Sequence, residues 1–206
     1  YSRIQSVVSD SAAYCKKAYN EVLSAEFNKS IHVRCLAHII NLVGEVFRCW
    51  PGLDNVAQLT TMIKSAFFKK PARKGRYLQY LAEYLPAESV KLPPVPVSTR
   101  WNSWFEAVKY HACHAHLYEG FFNQEKNTGA AVERILELTT NKLHTRKSFQ
   151  ALLLYLHFVN ENCSRIMITL TSLEATRDPL CLTAFNLLED LQKYFTPTPP
   201  AGDKGV

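Results

Sequence analysis

No run of apolar residues in this chain approaches the roughly 18 needed to span a bilayer, and no signal-peptide pattern opens it. A membrane-spanning helix is thereby excluded, and a soluble, intracellular protein is expected. Internal repeats are also missing, which argues against a solenoid or propeller. The six cysteines, at positions 15, 35, 49, 113, 163 and 181, lack the dense spacing of a disulfide framework. Free thiols in a reducing compartment are the better reading. Disorder is not expected either, because 47% hydrophobic and 20% charged residues are ordinary for a globular fold. The 206 residues suffice for one large domain or one and a half ordinary ones. The chain opens at Tyr1 rather than methionine, at the approach to a strand-like run, so the fold is expected to continue upstream.

What is present begins with alternating strand and helix signals. Ile4, Val7 and Val8 form a β-prone run, and Asp10 and Ser11 are good N-caps for a helical stretch to about Phe27. A second β-branched run, Ile31 to Cys35, leads into a helix carrying Ile39, Leu42, Val43, Val46 and Phe47 at helical spacing. Strand, helix, strand, helix predicts a βαβ unit with parallel strands. Beyond Trp50-Pro51-Gly52 the pattern turns helical. Residues 53–70 place Val56, Leu59, Ile63 and Phe67 on one side, and Pro71 opens a further helix to Leu85. Leu92 to Val97, with prolines at 93, 94 and 96, is predicted to run extended as an edge strand or strap. Ser98 or Thr99 is expected to cap a long helix through His116 or beyond. Residues 131–138, 149–167 and 179–194 carry further helical patterns ahead of an extended tail. The expected fold class is α/β plus all-α, a sheet of few strands followed by a mostly helical part. Its segments are an α/β piece over 1–50, a helical segment and strap over 51–120, a helical domain over 121–195 and a tail over 196–206.

Five places in the chain carry chemistry. Asp10 stands where a strand would end, the edge at which ligands bind in open α/β sheets; the plainer alternative is that it caps the following helix. Two-metal phosphoryl chemistry needs several converging carboxylates, which Asp10 alone does not supply. Cys35 and His38 lie three apart at a helix start and face one way, as two metal ligands or a thiol with a base would. A buried thiol beside a hydrogen-bonded histidine is the alternative. A second Cys-x-x-His, Cys113 to His116, would complete four zinc ligands, although the combined spacing matches no compact finger. Arg100 and Trp101, with Trp104 following, pair a phosphate-holding guanidinium with an indole that can stack on a base. Yet Trp101, Trp104, Phe105 and Val108 also stand at i, i+3, i+4 and i+7, which is the spacing of a core stripe. Lys69, Lys70, Arg73, Lys74 and Arg76 form a basic cluster, read either as a solvated face or as a nucleic-acid contact. The net charge of +6 and pI near 9.0 permit attraction to phosphate, but the charge is spread along the chain.

At these residues the chain resembles transposases of the hAT superfamily and the host proteins derived from them. The resemblance rests on Val7-Val8-Ser9-Asp10, a strand ending in aspartate, and on the helical Cys-x-x-His of Cys35-Leu36-Ala37-His38-Ile39-Ile40-Asn41-Leu42-Val43. Thr99-Arg100-Trp101-Asn102-Ser103 completes it, in that order within residues 1–120. It implies an RNase H-like catalytic core interrupted by a helical insertion, to which the helical remainder would correspond, and a nuclear location. It also implies DNA cleavage by divalent metal, magnesium or manganese, held by two aspartates and a glutamate. Asp10 matches the second of those aspartates and is the implied metal ligand. Arg100 and Trp101 are implied to contact DNA, the indole stacking on a flipped base, and Cys35 and His38 to lie near the active centre.

The chain also departs from the family pattern. The first aspartate belongs upstream of Tyr1, neither Glu174 nor Glu189 follows a recognisable return into the sheet, and the family's zinc finger and dimerisation segment have no counterpart. The expectation is a partial or degenerate transposase-derived protein that binds DNA without autonomous strand transfer. Divalent metal is expected only if a longer protein supplies the missing carboxylates. The alternatives are a host scaffold whose partners are proteins or further copies of itself, and a fragment of an active DNA transposase.

Overall fold

The computed structural model describes residues 4–10, 12–97, 100–125, 129–140, 146–174 and 180–196, the side chains of 146, 147 and 180–182 excepted. The fold is mostly helical with a two-stranded parallel sheet. Among the described residues no helix is long and apolar enough to cross a membrane. The chain divides into two compact units, Tyr1–Gly44 with Arg165–Val206, and Glu45–Ser164.

In the first unit β1 (Ser6–Ser9) pairs in parallel with β2 (Ile31–Arg34), Ser6 opposite Ile31 and Ser9 opposite Arg34. Residues branched at Cβ suit this pleated backbone. The connection runs through α1 (Ala13–Ala18), a π-helical turn (Tyr19–Leu23) and α2 (Ser24–Glu26), giving the predicted βαβ unit. Tyr19 stacks on His32 with ring centroids 4.8 Å apart, and its hydroxyl donates to the Ser30 carbonyl at 2.6 Å. Because side chains alternate along a strand, this covers the sheet face bearing Val7, Ser9 and His32. The opposite face stays open, with Val8 62% and Ile31 64% exposed. The Cys35 N–H donates to the Ser9 carbonyl at 2.7 Å, carrying the ladder one step further into α3 (Leu36–Arg48).

The second unit follows a 3-10 turn at Pro51–Leu53. α4 (Asp54–Phe67) buries Val56, Leu59, Ile63 and Phe67, the stripe its spacing predicts. α5 (Pro71–Tyr84) starts with proline at its first position, where the missing N–H would have had no helical partner. Residues 90–97 then run as a strap without regular structure rather than as an edge strand. Next come α6 (Trp101–Gln124), α7 (Ala130–Thr139) and α8 (Arg146–Asn162). α6, about 36 Å long at 1.5 Å per residue, is buried on nearly every side and packs on α4, α7 and α8. The helix expected over 149–167 is two, α8 and α9 (Ser164–Glu174), parted at Cys163. The Ser164 hydroxyl donates to the Glu161 carbonyl at 3.4 Å, the local competition by which serine opens a helix. α10 (Leu180–Phe195) closes the described chain, and the tail expected from 196 lies, beyond that residue, outside the described residues.

Hydrogen bonding fixes the strap to this core. Tyr110 donates its hydroxyl proton to the Lys91 carbonyl at 2.7 Å, so Tyr77, 3.0 Å away, is the donor to Tyr110. Burial pushes both phenols well above their ordinary range. Gly120 is required by packing, since a Cβ there would overlap the Tyr80 hydroxyl. Alanine normally favours a helix interior over glycine by about 1 kcal/mol. Here Gly120→Ala is expected to destabilise instead, by about 1–3 kcal/mol of overpacking. Adding Tyr80→Phe should recover most of that loss in urea denaturation, because it removes the overlapping oxygen.

Candidate functional site

Asp10 follows the end of β1 and Cys35 the end of β2, so parallel pairing brings both to one edge of the sheet. That is the edge at which ligands bind in open α/β folds. The exposed Asp10 carboxylate accepts the Ala12 N–H at 3.1 Å. The N-cap position of α1 is Ala12, which makes no side-chain cap bond, and Ser11 lies outside the described residues. The capping role expected of Asp10 is therefore corrected: an Asx-type turn at Asp10 redirects the chain ahead of the helix. A hydrogen bond from the Cys15 thiol, then the Ala12 N–H, hold the Asp10 carboxyl below its usual range, with the charge of His38 adding to them. In return the carboxylate pushes the Cys15 thiol up. Asp10 is thus an anion at neutral pH, and Cys15 serves it as a donor rather than as a thiolate nucleophile.

Asp10, Cys35 and His38 come together at this strand end, Cys35 and His38 both half-buried. Sequence reasoning missed Cys15 here, and also Ser9 and His32, whose Oγ and Nε2 lie 2.8 Å apart. Strand register alone aligns that pair, and register is not visible before pairing is known. Among the described residues no three His, Cys, Asp or Glu side chains group to hold a metal ion. Of the four zinc ligands weighed from sequence, Cys35 and His38 fall in the first unit and Cys113 and His116 in the second. Between the two latter residues, His114 is buried and donates through Nδ1 to the Tyr110 carbonyl at 2.7 Å. Asp10 is a single carboxylate already bonded by Ala12 and Cys15, so the residues present do not fit the divalent ion that the resemblance implies.

Arg100 and Trp101 lie in the second unit and have opposite environments. Arg100 is exposed and occupies the extended N-cap position of α6; Ser98 and Thr99, the caps expected from sequence, lie outside the described residues. Trp101 is fully buried, its ring stacked with Phe105 at 5.3 Å and tilted against Trp104 at 6.1 Å. The core stripe is what the i, i+3, i+4, i+7 spacing forms, and the indole face that would stack on a flipped base is not open. Ser103 accepts the Val97 N–H at 2.7 Å and donates to the Arg100 carbonyl at 2.8 Å. This bond pair ties the strap to the first turn of the helix, much as a capping box does.

The basic cluster separates by residue type. Arg73 and Arg76 both bind Glu125, at 2.8 and 2.7 Å, and Arg73 also donates to the Ala66 carbonyl at 2.8 Å. Planar guanidinium forks suit this buried carboxylate, whereas Lys69 and Lys70 stay exposed and Lys74 half-exposed. No family model, curated protein or solved structure matches this chain.

Proposed function

We propose that this chain is a transposase-derived protein of hAT type that contacts DNA and performs no strand transfer by itself. The observation that carries the reading is Arg100, an exposed guanidinium on the N-cap residue of α6, whose next residue is locked in the core. A cation on a stem held at a helix N-terminus is suited to phosphate. In this reading Trp101 anchors that stem instead of stacking on a base. Asp10 at the end of a parallel strand, with Cys35 and His38 beside it, supports descent from an RNase H-like centre. The nucleus is the compartment such a role requires. The open sheet face at Val8 and Ile31 favours a second reading, an interaction scaffold that binds proteins or its own copies.

Fluorescence anisotropy with single-stranded and hairpin DNA across a salt series tests the first reading. Binding should weaken as salt rises, and Arg100→Ala should lower affinity and reduce the salt slope by about 1. Asp10→Asn should leave affinity unchanged. Salt-independent binding, or an Arg100→Ala protein with the wild-type slope, would remove the basis for DNA contact.

A further inference from the structure

Between the end of α4 and the strap lies a groove of about 520 Å³. Ile63, Phe67 and Phe68 line it on one side and Pro93 and Pro94 on the other; apart from three lysines, every lining residue is apolar. Phe68 is 62% exposed although the adjacent Phe67 is buried, so one large ring is left in water at the groove. Lys64, Lys69 and Lys74 supply the charge, and among the described residues no acidic one lines the groove. The Lys64 ammonium reaches the Pro96 carbonyl at 3.5 Å, and the Lys69 ammonium sits 5.3 Å from the Phe68 ring centroid.

Lys69 holds its place at a conformational disadvantage. The Lys70 N–H donates to the Phe67 carbonyl at 3.3 Å, Phe68 has φ −64° and ψ 125°, and Lys69 has φ 49°. This is the pattern of a type II turn, whose third residue is ordinarily glycine because an L side chain is strained there. A charged residue kept in a strained position beside a groove points to use of its charge. A second cavity, of about 340 Å³, shares Lys64 with the groove. Trp104 lines it, and its buried indole N–H has no hydrogen-bond partner among the described residues.

We infer that this groove docks an acidic peptide segment carrying large apolar side chains. Leucine or phenylalanine side chains would fill the apolar interior, and flanking aspartate or glutamate would face the lysines. Nucleic acid fits less well, because a base placed in the groove would bury its polar edges against residues with almost no groups to pair them. The volume lies within the roughly 300–1,000 Å³ typical of ligand pockets. The inference is independent of the DNA contact assigned to Arg100, and either can fail alone.

The test is fluorescence anisotropy of the full chain with a labelled short peptide that alternates glutamate with leucine or phenylalanine. Saturable binding that weakens with salt is expected, with none for the same peptide carrying lysine in place of glutamate. Phe68→Ser, at an exposed position, should weaken binding about tenfold, as loss of an aromatic anchor does. Lys69→Gly should weaken it about threefold while raising the melting temperature, since glycine relieves the turn and removes the charge. A more stable protein that binds less well distinguishes a functional lysine from a structural one. Absence of saturable binding, or affinity unchanged by both substitutions, would overturn the inference. Displacement of the peptide by a single-stranded oligonucleotide at lower concentration than by unlabelled peptide would overturn it in favour of a nucleic-acid groove.

Discussion

Trp101→Ala is expected to destabilise the second unit by about 3–5 kcal/mol, the usual range for emptying a buried tryptophan site. The side chain is fully buried, and Trp104 and Phe105 lean on it from the same helix, so its removal opens a cavity that rigid neighbours fill only in part. Arg100→Ala, one residue away but in solvent, should change stability by less than about 0.5 kcal/mol. Urea denaturation followed by circular dichroism, without DNA, measures both. The contrast matters because Arg100 and Trp101, adjacent in the sequence, were expected to act together on DNA. A Trp101→Ala protein of wild-type stability that has lost only DNA affinity would show the indole to be a stacking platform after all.

Glu125→Ala should produce a loss of similar size, about 3–5 kcal/mol, by stranding a buried charge. Glu125 and Arg73 have side chains only 3% and 8% exposed, and the carboxylate joins α5 to the end of α6 through both arginines. Removing the carboxylate leaves the Arg73 guanidinium buried with the Ala66 carbonyl but without its counter-ion. Glu125→Ala with Arg73→Met should be less damaging than Glu125→Ala alone, since no charge is then left behind.

A pH dependence follows from the same ion group. Arg76 chiefly, and Arg73 after it, hold the Glu125 carboxyl below its ordinary value of 4.5. The unfolded chain therefore takes up this proton first as pH falls. The stabilisation is complete above pH 4.5 and is lost as pH falls through the lower value of the folded state. Acid denaturation of Glu125→Gln should lack that part of the pH dependence, while Asp10→Asn should retain it.

Much of the local architecture was legible. Branched residues in Ile4 to Val8 and Ile31 to Cys35 marked β1 and β2, the prolines at 93, 94 and 96 kept the strap out of any helix, and Pro71 opened α5. These rules act through the backbone of the residue itself or its near neighbours, so they need no knowledge of the rest of the fold. The turn at Lys69 escaped the same kind of reading because its marker would have been glycine, and lysine gives no such sign.

What the candidate sites do depends on longer reach. The stripe from Trp101 to Val108 is written in the sequence as four apolar residues on one face, and that spacing describes a core and an aromatic surface equally well; burial against α4, α7 and α8 decided between them. Five cations from Lys69 to Arg76 likewise read as one cluster. Glu125, 52 residues beyond Arg73, pairs with both arginines and holds Arg73 inside the structure, while Arg76, Lys69 and Lys70 stay exposed. Helical period, strand propensity and proline geometry are properties of short segments, so the amino-acid sequence determined most of where this protein is helical or extended. Which charges are neutralised, which aromatic rings are open and which residues meet at the strand end follow from contacts between distant segments, and only the tertiary structure decided those.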